Sequence, residues 1–253
     1  MKIKKTQVFL LIIIALFLQS CALNKSTIKS IAQTNSASQI EVYKNEILKS
    51  LLKYKQKLDL RNPNAYNKDI STNINYGITS KQNYINIIHN NKKIEDYKEY
   101  FYYAFSSEPL NNRNDFLILG LYKLVFKAFN MQNNHQFAAT QYNKEEMKKL
   151  YEYLQIIRWK IRTNKDVNGN YLFSTWQNNW QIELEKKYID DYNIINNLEY
   201  IKSKEETVYD ASNFSFEIVL SKILTNVEHS LRKINVEPYE MGFNAIKSFV
   251  FII

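Results

Sequence analysis

The segment around residues 175–181 has the side chains that a carbohydrate site would need. Trp176 and Trp180 are four residues apart, so on a helix both indoles would lie on one face. Indole rings can stack on sugar rings, and the amides of Gln177 and Gln181 could hydrogen-bond sugar hydroxyls. The same spacing is typical of two tryptophans packed in a helical core. Two interpretations therefore stay open, a site for a glycan or other small ligand and a buried pair, and the buried pair is the more common.

Two lysines lie one helical turn apart in the most apolar stretch of the chain. Lys123 and Lys127 are the only charged residues in residues 116–129, FLILGLYKLVFKAF. If both ammonium groups were buried, they would attract an anionic ligand. If they form a narrow solvent-facing stripe, their stems would lie along the apolar surface and their ammonium groups would reach water. The sequence leaves both possibilities open.

Residues that usually act as bases or metal ligands do not form a motif in this sequence. The three histidines, His89, His135 and His229, are not part of an H-E-x-x-H pair. The sequence also lacks G-x-S-x-G, a Walker A loop and a dinucleotide-binding glycine pattern. His135 is a candidate base, but it follows the central helix in a polar turn, and an ordinary loop residue or helix-end partner is the more common role there. We therefore expect no metal site, no cofactor and no catalytic residue.

The N-terminal residues have the pattern of an export signal. Residues 1–7 contain Lys2, Lys4 and Lys5 but no acid, and residues 8–18 are all apolar. Eleven residues of helix are about 16 Å long, roughly half the thickness of a bilayer core. The apolar stretch is therefore too short for a stable membrane span and predicts a secretory signal peptide.

The end of this leader, Leu18-Gln19-Ser20-Cys21, resembles the lipobox of bacterial lipoproteins. Leu18, Ser20 and Cys21 match that pattern, whereas Gln19 replaces the small or β-branched residue that is common there. The resemblance implies cleavage before Cys21, a diacylglyceryl thioether on its sulfur and an acylated amine. Several acyl chains anchor a protein far more firmly than one, at about 0.8 kcal/mol per buried CH₂. Ala22 is not Asp, which in Gram-negative lipoproteins goes with sorting to the outer membrane.

Cys21 is the only cysteine of the 253 residues, so acylation would leave no thiol for a disulfide, a metal or a nucleophile. The competing interpretation is a plain secreted protein with a cysteine near its cleavage site. We predict a signal peptide over residues 1–20, a lipidated flexible tether over residues 21–39 and a helical globular domain over residues 40–253. The tether prediction follows from the polar, weakly periodic composition of residues 22–38.

The charge of the chain is positive but spread out. Removing residues 1–20, which include three lysines and no acid, lowers the formal net charge from +9 to +6. The remaining lysines are interspersed with acids, without a dense basic run. Together with export, this pattern excludes nucleic acid from the expected partners. The expected partners are the membrane, through lipid on Cys21, and envelope proteins or cell-wall polymer.

Apolar residues recur at steps of three and four along most of the domain, which predicts an all-α, multi-helix bundle. One such stripe starts at Ile40 and ends before Asn62-Pro63, and residues 116–129 predict a buried central helix. Asn143, Thr175 and Ser212 are predicted to begin further helices. The stripes of the Asn143 and Ser212 helices are Met147, Leu150, Leu154, Ile157 and Ile161, and Phe216, Leu220, Ile223, Val227, Leu231 and Ile234.

Other segments are less regular. We predict a loop over residues 63–79, then a helix capped by Ser80 with a break near Asn90-Asn91, and a last helix over residues 239–253. Residues 94–105 contain more aromatic rings than one buried face can hold, so some rings should reach the surface.

The expected function is a non-catalytic interaction or scaffold lipoprotein of the cell envelope. The alternatives are a glycan- or small-ligand-binding lipoprotein and an envelope enzyme with an unidentified site.

Overall fold

A computed structural model describes residues 25–132, 136–175, 178–187, 192–208 and 212–238. The all-α prediction is confirmed, because within these ranges the chain forms eight α-helices and one two-stranded hairpin. The helices are α1 (Lys25–Arg61), α2 (Lys68–Ser80), α3 (Tyr97–Ala104), α4 (Arg113–Ala128), α5 (Lys144–Thr163), α6 (Asn179–Lys186), α7 (Glu199–Lys202) and α8 (Ser212–Lys233). The strands are β1 (Ile88–His89) and β2 (Lys92–Lys93), and 3-10 turns occupy Pro63–Ala65, Ala139–Gln141 and Tyr192–Asn197.

Helix α4 lies at the centre of the fold. Every residue of this helix except Lys127 is buried, and helices α1, α2, α3 and α5 all pack against it. A helix that is apolar on all sides must be enclosed by other elements, which is how residues 116–129 were interpreted from the sequence. The prediction of a buried central helix is confirmed.

Long helices α1 and α8 pack along each other, and α5 packs against α8. All the stripe residues predicted for α5 and α8 are buried. The stripe of α1 is buried at Ile40, Ile47, Leu51, Tyr54 and Leu58 and half-buried at Tyr43. The start of α5 and the end of α1 are set by nearby residues. Asn143 Oδ1 accepts hydrogen bonds from the amides of Glu145 and Glu146, and α1 ends at Arg61, before Asn62-Pro63.

Helix α1 begins at Lys25, within the predicted tether of residues 21–39, and not at Ile40. The side chains described over residues 27–36 are exposed or half-buried, and the first buried side chain is Ala37. The start of the packed domain therefore lies close to the predicted position, although helical structure extends further toward the N-terminus. The predicted helix over residues 239–253 lies outside the described residues.

The predicted loop over residues 63–79 is wrong, because most of that segment forms α2. Asn67 begins the helix, with Oδ1 accepting from the amides of Asp69 and Ile70 at 2.9 and 3.1 Å. Ser80 ends this helix and does not begin another, since Lys81 follows it in the left-handed conformation with φ 58°. The helix was not predicted because most of its residues are polar and it contains Gly77. Its buried face nevertheless includes Ile74 and Ile78.

The predicted helix after residue 81 is also wrong. Residues 81–96 are largely extended and include the hairpin, in which Ile88 pairs with Lys93 and His89 with Lys92. Asn90 and Asn91 form its turn with φ values of 50° and 60°. Two successive positive φ angles are the geometry of a type I′ turn, which asparagine tolerates better than other non-glycine residues.

None of the helices in the described ranges combines enough length with enough apolar character to cross a bilayer.

Gly120 of α4 lies directly against residues of α3. A Cβ added there would lie 2.6 and 2.8 Å from two ring atoms of Phe101. We expect Gly120→Ala to destabilise the protein by about 1–3 kcal/mol, because the overlap outweighs the helix propensity that alanine gains. Urea unfolding followed by circular dichroism would measure this change.

Gly77→Ala is the matched control for this prediction, since Gly77 is also buried in a helix. Its added Cβ would meet Cδ1 of Ile85, the far end of a flexible side chain that can move away. We expect a much smaller effect on unfolding than for Gly120→Ala. Equal losses for the two variants would contradict the proposed α3–α4 contact.

Candidate functional site

The carbohydrate hypothesis required Trp176 and Trp180 on one face of a helix. Helix α6 begins at Asn179 with Asn178 as its N-cap, so the prediction that Thr175 caps this helix is wrong. Thr175 is buried, and its side chain hydrogen-bonds Tyr54. Trp180 is on the helix, whereas Trp176 lies outside the described residues, as does Gln177.

Trp180 and Gln181 both help to fix the start of α6. The Trp180 side chain is only 8% exposed, and its amide donates to Glu206 Oε2 at 3.0 Å. Gln181 Oε1 accepts from the amide of Asn178 at 2.8 Å, which completes a capping box. A sugar would find little free indole surface at Trp180, and the oxygen of Gln181 is already engaged.

The remaining candidates named from the sequence are only partly described. Cys21 and His135 lie outside the described residues. His89 packs against the rings of Tyr103 and Phe116, with centroids 4.5 and 5.5 Å away, and His229 lies 5.3 Å from the ring of Tyr43. Among the residues that the structure describes, no group of three or more His, Cys, Asp or Glu side chains could hold a metal ion.

A buried polar cluster, which the sequence analysis missed, joins α1, α2 and α4. Lys55 Nζ lies 2.5 Å from Asp59 Oδ2 and also donates to Ser71 Oγ. Asn114 Nδ2 donates to Asp59 Oδ1 at 3.2 Å, and Asp115 Oδ2 accepts from the amide of Asn67 at 2.8 Å. The residues from α1, α2 and α4 are distant from one another in sequence and no motif connects them. Only the packing of the three helices brings them together.

This polar cluster contains a carboxyl group with an unusual pKa. Burial raises the pKa of Asp115 to about 7, against the opposing effects of the Asn67 amide and the charge of Lys55. Asp115 is fully buried and Lys55 is only 2% exposed, so a substrate could not touch their polar atoms in this conformation. The arrangement therefore holds three helices together and does not form an accessible catalytic centre.

A pocket of about 320 Å³ lies between α4, the extended segment before α3 and the first turn of α3. We call it the lysine pocket. Its lining includes Lys123, Lys127, Glu95, Asp96, Tyr97 and Phe126.

The two lysines of this pocket differ in environment. Lys123 is 6% exposed, and its Nζ donates to Asn86 Oδ1 at 2.8 Å and Asn83 Oδ1 at 3.2 Å. The side chain of Lys127 is 53% exposed, with Nζ 3.5 Å from Glu146 Oε2. Each of the two interpretations from sequence therefore fits one lysine, since Lys123 is buried and Lys127 faces solvent. Burial lowers the pKa of the Lys123 ammonium to about 8.

An open groove of about 430 Å³ separates α3 from α5. We call it the aromatic groove, because Phe101, Tyr102, Phe105 and Tyr153 line it. The rings of Phe101 and Tyr153 stack with centroids 6.1 Å apart, and Tyr102 is 71% exposed. Lys160 Nζ lies 5.4 Å from the ring of Phe105. The expectation that some rings of residues 94–105 reach the surface is confirmed.

No known protein family, curated protein or solved structure matches this chain.

The buried carboxyl of Asp115 should make stability depend on pH. Its folded pKa of about 7 is above the unfolded value near 3.8, so the folded state binds more protons between these values. Ionisation of this group should therefore lower the free energy of unfolding as pH rises from about 4 to about 7. Asp115→Asn keeps an acceptor for the Asn67 amide but cannot ionise. We expect it to be more stable than the native chain at pH 8 by roughly 1–3 kcal/mol.

Urea unfolding at pH 4.5, 6 and 8 would test this prediction, and the quantity of interest is the difference between variant and native chain. Asp69→Asn is the matched control, because Asp69 is an exposed acid in the first turn of α2. That variant should follow the native chain at all three pH values. An Asp115→Asn variant that loses stability equally at every pH would contradict a raised pKa.

Proposed function

We propose that this chain is a lipid-anchored protein of the bacterial cell envelope whose helical domain binds another envelope component without catalysis. The observation on which this depends is the leader of residues 1–20, which ends in Leu18-Gln19-Ser20 and is followed directly by Cys21. A basic start, a short apolar stretch and a cysteine directly after the leader fit export and lipidation. Ala22 after the cysteine favours the outer membrane, facing the periplasm or the cell exterior.

The position of α1 supports attachment at Cys21. Helix α1 begins at Lys25, and Ala37 is the first buried side chain among those that the structure describes. Twelve residues of largely exposed helix are about 18 Å long. Acyl chains on Cys21 could therefore enter a bilayer while the packed domain stays clear of the lipid headgroups.

The aromatic groove supports a binding role. Aromatic rings that are partly exposed provide contact area with little loss of side-chain entropy, and they are enriched at protein interfaces. Lys98 and Lys160 also line the groove and add positive charge beside the rings. An envelope protein or an anionic wall polymer matches this combination of rings and cations.

The two alternative functions have less support. For a glycan or small-ligand site at Trp176 and Trp180, the burial of Trp180 leaves little ring surface for a ligand. For an envelope enzyme, the most perturbed carboxyl that we describe, Asp115, is buried away from solvent. The proposal also includes no nucleic-acid partner, because the excess positive charge is spread along the chain.

Lipidation can be tested by replacing the cysteine. We expect the native chain to fractionate with membranes, and mass spectrometry to find a mature N-terminus at Cys21 with added acyl mass. Cys21→Ser should abolish both the acyl mass and cleavage at this position, because serine has no thiol for the thioether. Gln19→Ala is the control, since it brings the junction closer to the lipobox pattern and should be lipidated normally. An unmodified first residue on the native protein would contradict the anchor.

The binding role can be tested by photo-crosslinking in cells. A photoreactive phenylalanine at Tyr102, which is 71% exposed in the aromatic groove, should form one discrete adduct with an envelope component. The same group at Tyr76, which is 63% exposed on α2, is the control and should not form that adduct. Indistinguishable adduct patterns at the two positions, or no adduct at Tyr102, would count against an interface at the groove.

A further inference from the structure

We propose that the lysine pocket binds a small zwitterion, such as a free amino acid or a dipeptide. The carboxylate of the ligand would lie at Lys123, and its ammonium group would lie toward Asp96 and Glu95. The proposal concerns a different surface from the aromatic groove and does not depend on the lipid anchor.

Lys123 has an unusual environment. The residue is only 6% exposed, and its described hydrogen-bond partners are the neutral amide oxygens of Asn83 and Asn86. The charge of Glu95 favours the ammonium form of Lys123, and Nζ lies 5.7 Å from the centre of the Tyr100 ring. Among the described residues, however, no carboxylate forms a salt bridge with Lys123, although buried charges are generally paired. An ammonium group has three donors, and the two amides use two of them. A ligand carboxylate would supply a close counter-charge and a further acceptor.

Two acids, Asp96 and Glu95, also line the lysine pocket. Asp96 caps α3, with Oδ1 accepting from the amide of Lys98 at 2.7 Å. Glu95 forms an exposed ion pair with Lys93 at 2.6 Å. A simple anion in this pocket would lie near both carboxylates, and a simple cation would lie near Lys123 and Lys127. A molecule with one charge of each sign can pair with groups of both signs, so charge complementarity favours a zwitterion.

The size of the pocket limits the ligand. A volume of about 320 Å³ is at the lower end of the range for small-molecule pockets and is too small for a folded partner. Tyr97 and Phe126 provide ring surface for an apolar side chain beside the charged groups. The pocket therefore suits a compact ligand with charged ends.

Lys123 also has a structural role, because its two amide partners belong to the extended segment over residues 81–96. Lys123→Met alone could disturb that segment, so a second variant is needed. Asp96→Asn keeps the side-chain oxygen that caps α3 and removes only the negative charge. This variant tests the ammonium end of the ligand while leaving Lys123 and its amide partners in place.

The experiment is isothermal titration of the full mature protein in detergent with four probes: alanine, alanyl-alanine, acetate and methylammonium. We expect at least one of the two zwitterions to bind at least about tenfold more tightly than acetate and methylammonium. Asp96→Asn should weaken zwitterion binding about tenfold without weakening acetate, and Lys123→Met should abolish binding of the zwitterion. Lys53→Gln is the control variant, because Lys53 is exposed on α1 outside this pocket, and should bind as the native protein does.

Three results would overturn the proposal. Acetate binding as tightly as both zwitterions would make the pocket a simple anion site. Zwitterion binding that is unchanged in Lys123→Met or in Asp96→Asn would place the ligand elsewhere. No saturable binding of alanine or alanyl-alanine to the native protein would assign Lys123 a structural role only.

Discussion

The near-complete enclosure of α4, in which only Lys127 is exposed, is the constraint on which the rest of this structure depends. Most polar groups on a helix this enclosed cannot reach water, so they depend on partners within the protein. Arg113 does so at the start of α4, where its guanidinium donates to the carbonyl oxygens of Ala104, Ser106 and Glu108 at 2.7–2.9 Å. The turn between α3 and α4 is thereby tied to the helix that it precedes.

The same constraint explains where the unusual chemistry of the domain lies. Asp115 and Lys123 are both on α4, two helical turns apart, and burial shifts the pKa of each toward its neutral form. Asp115 is surrounded by α1 and α2, so it serves helix packing. Lys123 lies beside an open pocket, where amide oxygens take the place of a carboxylate partner. Access to solvent, and not the shift in pKa, distinguishes a structural group from a candidate binding group.

The anchor and the domain are physically separate parts of the proposed function. The proposed anchor would depend on a short local sequence around Cys21 and would act in the same way on any folded domain. The domain offers two distinct surfaces, the aromatic groove between α3 and α5 and the lysine pocket beside α4. Helix α1 begins at Lys25, four residues after Cys21, and continues into the core as far as Arg61.

The sequence by itself determined the elements whose signals are local and strongly periodic. The stripes of α1, α5 and α8, the cap at Asn143 and the all-apolar α4 were readable because each depends on residues within a few turns of one another. Only the tertiary structure decided the identity of α2, the hairpin at Asn90-Asn91 and the start of α6. Their polar sequences fit loop and helix alike, and packing settled the choice. The polar cluster and the lysine pocket required the fold for the same reason, since their members are tens of residues apart and meet only when the helices pack.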